Sequence, residues 1–419
     1  MCSKKQRIIS LILLCGILGT VSGCRGKHAA ENSAVETDPT SSKIVVNGAK
    51  IVTYFTGMTE DAFKKATNVT VDYDQKTGCY RAVIKAGKAG PFSKDSNGNF
   101  ILKNAQTGSS YNAGQFETYL HEKLIEETGT YTAKKPGTFN VVTASVDTMT
   151  LQNQAAARGE KAVFLVASDY DGIEAVSGNS VPSIAIYLGD VIQGPFGCFP
   201  GALLRLYSQI RENTRVATNS FDPQNPRVHM LKSDFLDTQN GYPYLNKNIT
   251  FYGNIETFLK SNNYSFSIMY HKNQSAPIKG ARIGNGFEAF VIPSKQPEYT
   301  VDQIFSAGLS LGAYKTGFMN GYAAPEVFIE ALAQKILFDI YDSAIRAAIK
   351  NNRDTVYLLP IGCGVFGNKK IWAGMALERC KELIVKSGLT IKYVISESEY
   401  DEFLDILTHL VKETGGEKN

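Results

Sequence analysis

The carboxyl-terminal third of the chain alternates apolar runs with amphipathic stretches. Residues 325–351 repeat apolar side chains at helical spacing and begin with a proline, which the first turn of a helix tolerates. Residues 355–361 and 389–396 are short apolar runs rich in residues that favour strands. Residues 371–387, between those runs, and residues 399–411 have helical patterns. The order predicts helix, strand, helix, strand and a closing helix.

A further apolar run, residues 161–167, predicts a buried strand, and two aspartates, Asp169 and Asp171, follow it directly. Acidic side chains at the carboxyl end of such a strand lie where α/β proteins place ligand contacts. They are equally typical of a turn in which each aspartate bonds to its own backbone. The pattern leaves both interpretations open.

The amino-terminal half has a weaker pattern. Residues 44–57 predict short strands, and residues 115–127 predict an amphipathic helix. Residues 44–135 form either a separate module or an elaboration of a domain that covers residues 136–412. Residues 211–265 are polar, rich in Asn and Tyr and weakly periodic, and they predict an insertion in that domain.

Residues 362–368 place three glycines between a predicted strand and a predicted helix. Glycine lets main-chain N–H groups approach an anion closely, and the next helix points its positive end at the loop. This arrangement favours a diphosphate-binding loop, although a plain tight turn also uses glycine. Residues 189–201 repeat the pattern, because they too are glycine-rich and run into a predicted helix. Residues 309–320 are a third candidate loop for the same cleft.

Composition narrows the class of protein. Of the 419 residues, 43% are hydrophobic and 20% charged, as in ordinary globular proteins. A net charge of +4 with no basic stripe argues against a nucleic-acid partner. The five histidines are scattered and the cysteines lack metal-site spacing, so neither a metal nor another cofactor is expected.

Cys198 and Cys363 lie on the two glycine-rich loops, and a disulfide between them would close the cleft.

The first residues predict an export signal. Lys4, Lys5 and Arg7 precede an apolar run, residues 8–21, that is too short for a comfortable membrane span. Val-Ser-Gly-Cys follows and resembles the lipobox of bacterial lipoproteins, with Cys24 as the lipidated residue. A secretory signal with a chance cysteine is the alternative.

The lipobox implies a signal peptide at residues 1–24 and a flexible tether at residues 25–43. The mature chain would then be anchored by lipid at the periplasmic face of a membrane or at the surface of a bacterial cell.

Three motifs together resemble the macrodomain superfamily, in its bacterial branch that is similar to poly(ADP-ribose) glycohydrolase. They are the Gly-x-Gly-x-x-Gly-Asn loop of residues 362–368, the closing block of residues 392–403, and Asp169 and Asp171 followed by Gln193-Gly194-Pro195. The resemblance covers residues 138–412. It implies a three-layer α/β/α fold with a mixed sheet, to which the β-rich amino-terminal segment and the insertion are added.

The resemblance also implies a ligand, ADP-ribose or an ADP-ribosylated protein, held at the strand ends. The glycine-rich loops would hold the diphosphate, Asp169 or Asp171 would approach the adenine or its ribose, and Phe366 would lie against the distal ribose. The full set of expected ligand contacts is Asp169, Asp171, Gln193, Gly194, Gly197, Gly362, Gly364, Val365, Phe366, Gly367 and Asn368.

One feature of the family's hydrolases is missing. They carry a triple glycine followed by paired glutamates, one of which is the general acid, and no such pair follows Gly194. The carboxylates nearby in sequence are Asp171, Glu174 and Asp190, and these are the candidates for proton transfer. The sequence leaves open binding alone, binding with hydrolysis of ADP-ribosyl linkages, action on another nucleotide or phosphosugar, and a surface interaction lipoprotein with a blunted pocket.

Overall fold

The structure of the chain is a computed structural model. It describes residues 43–47, 50–144, 148–175, 178, 197–209, 227–277, 279–283, 286–293, 298–396 and 403–418. The predicted signal peptide with Cys24, and the site candidates Asp190, Gln193 and Gly194, lie outside these residues. Among the described helices, none combines the length and the apolar character needed to cross a lipid bilayer.

The described residues form strands and helices in the following order. The strands are β1 Lys43–Asn47, β2 Val69–Asp74, β3 Cys79–Ile84, β4 Phe92–Lys94, β5 Phe100–Lys103, β6 Ser110–Leu120, β7 Thr138–Thr143, β8 Ala162–Ala167, β9 Leu231–Lys232, β10 Leu236–Gln239, β11 Tyr242–Leu245, β12 Ser265–Ser275, β13 Lys279–Ile283, β14 Gly286–Pro293, β15 Thr300–Ser306, β16 Thr355–Leu358 and β17 Thr390–Ile395. The helices are α1 Ile51–Thr56, α2 Glu60–Ala66, α3 His121–Thr128, α4 Thr148–Ala157, α5 Phe199–Tyr207, α6 Ile255–Ser261, α7 Lys315–Met319, α8 Glu326–Lys350, α9 Lys370–Arg379, α10 Lys381–Ser387 and α11 Leu404–Thr414.

A twelve-stranded mixed sheet forms the centre of the fold, with the main order β2-β3-β6-β12-β15-β8-β16-β17-β7. The five strands from β15 to β7 are parallel, whereas β12, β6, β3 and β2 pair in antiparallel fashion. Because parallel strands point the same way, the carboxyl ends of β15, β8 and β16 meet at one edge. That edge carries the candidate site.

The central parallel strands are buried on both faces. Five of the six residues of β8 and all four of β16 are buried, although successive side chains point to opposite faces. Both faces of the sheet are therefore covered by other elements, as parallel sheets require. The long helix α8 matches the prediction for residues 325–351, and β8, β16 and β17 match the predicted strands. The predicted mixed α/β fold class is confirmed.

The predicted helix at residues 115–127 is wrong over its first half. Residues up to Leu120 belong to β6, which pairs with β12 along seven residues, and helix α3 begins only at His121. The apolar residues that indicated one helix belong partly to strand β6 and partly to helix α3. Within α3, Leu124 is buried and Ile125 is exposed. Pairing on both sides of β6 outweighs the local helical pattern.

The predicted strand at residues 51–55 is also wrong, because these residues form helix α1. Ile51, Val52 and Phe55 are buried on one side of its turns, and Gly57 ends the helix with φ of 72°. Burial of one face therefore outweighs the strand preference of three successive β-branched residues.

The amino-terminal segment joins the same sheet as the rest of the chain, since β2, β3 and β6 extend it beyond β12. Where β6 meets α3, His121 lies between two aspartates of α8: its Nδ1 is 3.1 Å from an Asp339 oxygen and its Nε2 is 2.8 Å from an Asp342 oxygen. Burial opposes a charge on this ring, yet the two hydrogen-bonded aspartates prevail and raise the pKa of His121 to about 9. A buried ion pair thus joins the amino-terminal segment to α8.

The described part of the predicted insertion contains β9, β10, β11 and α6. Strand β9 pairs with β12 of the large sheet, and β10 pairs with β11 in a hairpin. Asn240 and Gly241 form its turn with φ of 48° and 78°, as the Asn-Gly pair favours. The hairpin turn packs against the loop after β8, so the insertion contributes to the candidate site.

Candidate functional site

A cavity of about 230 Å³ lies at the carboxyl ends of β8, β15 and β16. Each strand is followed by a loop that supplies part of the wall. We call residues 168–175, after β8, the acidic loop and residues 362–368, after β16, the glycine loop. The wall consists of Ala167, Ser168, Glu174, Ala175, Tyr242, Ala307, Gly308, Tyr314, Leu359, Pro360, Ile361, Gly362, Gly364, Val365 and Phe366.

The glycine loop is locked to the loop after β15 by close backbone packing. A Cβ atom on Gly367 would lie 2.5 Å from backbone atoms of Gly312, and one on Gly308 would lie 2.8 Å from the Cα of Gly362. Gly362 and Gly367 also have φ of 73° and 71°, in the left-handed region. These positions require glycine for the fold of the loop, because a side chain would collide with backbone atoms.

Hydrogen bonds complete this junction. The Phe366 carbonyl accepts from the amides of Leu311 and Gly312, both at 2.7 Å. The side-chain amide of buried Asn368 donates to the carbonyls of Leu309 at 2.7 Å and of Gly362 at 3.0 Å. Asn368 and Gly367 therefore shape the loop and are absent from the cavity wall. The prediction that residues 309–320 also face the cleft holds for Tyr314, which lines the cavity, whereas Leu309, Leu311 and Gly312 bond to the glycine loop.

The middle of the glycine loop faces open space. An added Cβ at Gly364 meets no atom within 4 Å, and the side chain of Val365 is 53% exposed. Within the described part of the chain, the amides of Gly364, Val365 and Phe366 donate no hydrogen bond, whereas the amides of Gly367 and Asn368 bond to Gly364 and Gly362. Three successive amide donors without acceptors, beside a cavity, form an anion-binding concavity.

The acidic loop has the opposite arrangement, since its carboxylates serve its own backbone. An Asp169 oxygen accepts from the amide of Ala175 at 2.7 Å, and an Asp171 oxygen accepts from the amide of Ile173 at 2.9 Å. Both aspartates are buried and neither is part of the cavity wall. Gly241 of the hairpin turn lies over them, with a would-be Cβ 2.5 Å from the Cβ of Asp169. The geometry corresponds to the self-bonded turn that the sequence left open.

The three candidates for proton transfer lie in different surroundings. Asp171 is buried, and burial raises the pKa of its carboxyl although the charge of Arg227 opposes the rise. Glu174 is half-buried and is part of the cavity wall. Asp190 lies outside the described residues. Among the described residues, Glu174 is therefore the carboxylate that lines the cavity.

Helix α5 and the turn that follows it support the acidic loop from the side away from the cavity wall. The buried Arg205 donates from Nε to the carbonyl of Gly172 at 3.1 Å, and Gln209 donates to the carbonyl of Asp171 at 3.0 Å. Gly197, at the described end of the second glycine-rich segment, packs against Met149 of α4 and does not line the cavity. The convergence of the two glycine-rich loops on one ligand stays a prediction, because Gln193 and Gly194 lie outside the described residues.

Three aromatic rings form one side of the cavity. Tyr242, Tyr314 and Phe366 have ring centroids 5.3, 5.7 and 5.9 Å apart in pairs, in tilted and edge-to-face arrangements. The Tyr242 hydroxyl donates to the carbonyl of Ala175 at 2.6 Å, so it also ties the hairpin to the acidic loop. Burial raises the pKa of Tyr242, with the charge of Asp169 as the next cause, and the hydroxyl stays protonated.

Sequence reasoning identified Phe366 and missed both tyrosines. Tyr242 comes from the predicted insertion and Tyr314 from the loop after β15, and nothing in the local pattern links residues so far apart. The Asn-Gly turn before Tyr242 was the one local signal, because this pair predicts a β-hairpin and so places Tyr242 at the start of its second strand. The proposed disulfide is not formed in the structure, where Cys198 is buried and Cys363 is half-buried.

Comparison with known proteins gives a distant structural likeness. No protein-family model and no curated protein sequence matches the chain. A poly(ADP-ribose) glycohydrolase mutant of Deinococcus radiodurans, solved with ADP-ribose, is similar over 70% of this chain and 94% of its own, with 14% identity and a TM-score of 0.39. The glycohydrolase of Thermomonospora curvata is similar over 77% and 93%, with 12% identity and a TM-score of 0.36.

Proposed function

We propose that the chain binds ADP-ribose, or a closely related nucleotide diphosphate sugar, in the cavity at the strand ends. The observation that carries the proposal is the row of amides at Gly364, Val365 and Phe366, which have no acceptor among the described residues and border open space. A diphosphate supplies several negatively charged acceptor oxygens to such a row. Neutral main-chain donors bind phosphate in this way in other glycine-rich loops.

The position of the loop supports the same ligand. The cavity lies outside the carboxyl ends of three adjacent parallel strands, which is the usual place for ligands in open α/β sheets. Helix α9 starts two residues after Asn368, so its positive end faces the loop region. The sequence motif of residues 362–368 selects ADP-ribose among nucleotide diphosphates, because that motif resembles the diphosphate and ribose loop of the macrodomain superfamily.

The aromatic rings supply the apolar surface that a ribose or a base requires. Phe366, Tyr314 and Tyr242 present ring faces and edges beside the open amides, and sugars and bases pack against such rings. The described walls enclose about 230 Å³, which is less than the roughly 300 Å³ at the lower end of ligand pockets. ADP-ribose would therefore place its diphosphate and one ribose in this cavity and extend beyond it.

Calorimetric titration with ADP-ribose tests the binding proposal. We expect a saturable heat for ADP-ribose, a weaker one for ADP and none for ribose alone, because the diphosphate makes the main contacts. The matched control is the Gly317→Glu variant, which adds one exposed carboxylate outside the cavity wall and should bind like the wild type. Absence of saturable binding by the wild type would refute the proposal.

Hydrolysis of an ADP-ribosyl linkage is a second candidate activity, and the position of Glu174 favours it. A carboxylic acid beside the distal ribose could protonate the leaving oxygen while water attacks C1, which yields free ADP-ribose and the unmodified acceptor. The test is release of ADP-ribose from a modified protein. Glu174→Gln should abolish the release and leave ADP-ribose affinity within about threefold, whereas a wild type without release would establish binding alone.

We also propose that the chain is exported and anchored by a lipid on Cys24, as the lipobox-like sequence indicates. Labelling with a fatty acid in a bacterial host should mark the wild-type protein and leave Cys24→Ser unlabelled. A wild-type protein recovered unlabelled from the soluble fraction would contradict this proposal. The result bears on location only and leaves the binding proposal intact.

A further inference from the structure

A second cavity, of about 360 Å³, lies between the amino-terminal strands and the hairpin of the insertion. Strands β2 and β3 contribute Tyr73 and Tyr80, and the segment around β9 contributes His229 and Lys232. It shares no residue with the strand-end cavity. Neither the proposed function nor the resemblance to macrodomains involves these residues.

A lysine is held at the centre of this wall. The Lys232 ammonium lies 4.7 Å from the ring centroid of Tyr73 and 4.8 Å from that of Tyr80. The two rings are 4.5 Å apart and tilted by 35°, so they form one aromatic surface under the cation. Burial lowers the pKa of Lys232 to about 8. An anion in the cavity would be attracted to this cation.

The hydroxyl of Tyr80 is a buried polar group beside this lysine. Tyr80 is 1% exposed, and its hydroxyl has no hydrogen-bond partner among the described residues. Burial raises the pKa of Tyr80, with Tyr73 as a further cause, so the hydroxyl keeps its proton and is a donor. A buried hydroxyl without a partner is costly to a fold, and Tyr80 lines the cavity that contains the lysine.

Two more donors border the same space. The His229 Nδ1 lies 2.9 Å from the Thr238 hydroxyl, and with Nδ1 as acceptor the ring proton is on Nε2. Burial, followed by the charges of Lys232 and Arg227, lowers the pKa of His229 to about 4, so the ring is neutral at physiological pH. The Ser233 oxygen accepts from the amide of Leu236, and its own proton has no acceptor among the residues that the structure describes.

The geometry points to a phosphate-monoester site in this cavity, separate from the strand-end cavity. Lys232 would supply the charge, and Tyr80, His229 and Ser233 would supply hydrogen bonds. A phosphate group has three terminal oxygens for these donors, more than a carboxylate offers. The volume exceeds that of a phosphate, which leaves room for an organic group beside Leu231, Leu236 and Asp237, the one acidic side chain of the described wall.

The test uses inorganic phosphate and ribose 5-phosphate as probes with the full chain. Titration should show saturable binding of at least one probe, and the tighter probe identifies a free or an esterified phosphate as the source. Lys232→Met should weaken binding at least tenfold, because the change keeps the length of the side chain and removes its charge. The Gly364→Glu variant, with its glycine loop occupied, should retain this binding, so the result is independent of the proposed ADP-ribose site.

Two further variants test whether the effect is specific to this cavity. Lys94→Met removes an exposed lysine that lies 4.7 Å from the Phe100 ring centroid, and it should leave phosphate binding unchanged. Tyr80→Phe removes only the hydroxyl and should weaken binding about three- to tenfold without lowering the melting temperature. Absence of saturable binding of both probes, or affinity that Lys232→Met leaves unchanged, would overturn the inference. A Tyr80→Phe variant with unchanged phosphate affinity and a higher melting temperature would also overturn the inference.

Discussion

The glycine loop and the acidic loop follow neighbouring parallel strands and end at the same cavity, yet they use their polar groups in opposite ways. In the glycine loop, side chains and glycines fix the shape, and the amides of Gly364 to Phe366 have no acceptor among the described residues. In the acidic loop, the carboxylates of Asp169 and Asp171 are used by the loop's own amides. The two aspartates, whose side chains are chemically the more reactive, therefore have a structural role. The ligand is expected on the main chain.

The strongest test of this contrast is Gly364→Glu. The new side chain enters open space, so the fold and the melting temperature should be retained. Its carboxylate would occupy the place of the diphosphate and repel it, which should weaken ADP-ribose binding at least 100-fold, or by about 2.7 kcal/mol. Calorimetry on this variant, with Gly317→Glu as the control, measures the loss. A variant with wild-type affinity would show that the ligand does not bind this loop.

A second test separates glycines that shape the loop from the glycine that faces the ligand. Gly367→Ala should destabilise the protein by about 2–3 kcal/mol, because φ is 71° and the new Cβ would collide with backbone atoms of Gly312. Gly364→Ala should change stability by less than about 0.5 kcal/mol. Denaturant unfolding of both variants checks the difference, and equal stabilities would contradict the described packing.

On the side of the acidic loop, Asp169→Ala should cost stability and spare the ligand contacts. The buried amide of Ala175 loses its acceptor, which costs about 1–3 kcal/mol. ADP-ribose affinity, measured below the melting transition, should fall by less than about threefold. If affinity falls as far as in Gly364→Glu while stability is unchanged, Asp169 contacts the ligand and the contrast between the loops is lost.

A change of pH should affect folding stability and leave ADP-ribose affinity unchanged. Main-chain amides do not titrate, so ADP-ribose affinity should be constant between about pH 6 and 9. Folding stability should vary, because the folded pKa of His121 is about 9, above the ordinary value of 6.5. Its contribution, on the order of 3 kcal/mol, is fully present below pH 6.5 and is lost as the pH rises through 9.

Unfolding of the wild type and of His121→Gln across this range measures that contribution. The variant should lack the alkaline decline. A decline that is equally steep in both proteins would assign it to another group.

The sequence predicted the parts of this fold whose signals are local. The strand, glycine loop and helix from β16 to α9 follow from an apolar run, three glycines and helical spacing. The errors at α1 and β6 arose where burial and strand pairing with distant residues override local preference. The aromatic wall of Tyr242, Tyr314 and Phe366 depends on the tertiary fold, because the hairpin and two strand-end loops bring its members together. The sequence left two roles open for Asp169 and Asp171, contact with a ligand or a turn bonded to its own backbone. The hydrogen bonds that their carboxylates accept from amides of the same loop favour the turn.

Amide NMR during titration with ADP-ribose measures whether the diphosphate binds the amides of residues 364–366. If the diphosphate binds the open amides, the ¹⁵N–¹H signals of Gly364, Val365 and Phe366 should shift downfield together and saturate with the calorimetric dissociation constant. The signals of Asp169 and Asp171, which lie within the acidic loop, should move less. Saturable binding that shifts the acidic-loop signals and leaves residues 364–366 unmoved would contradict the account.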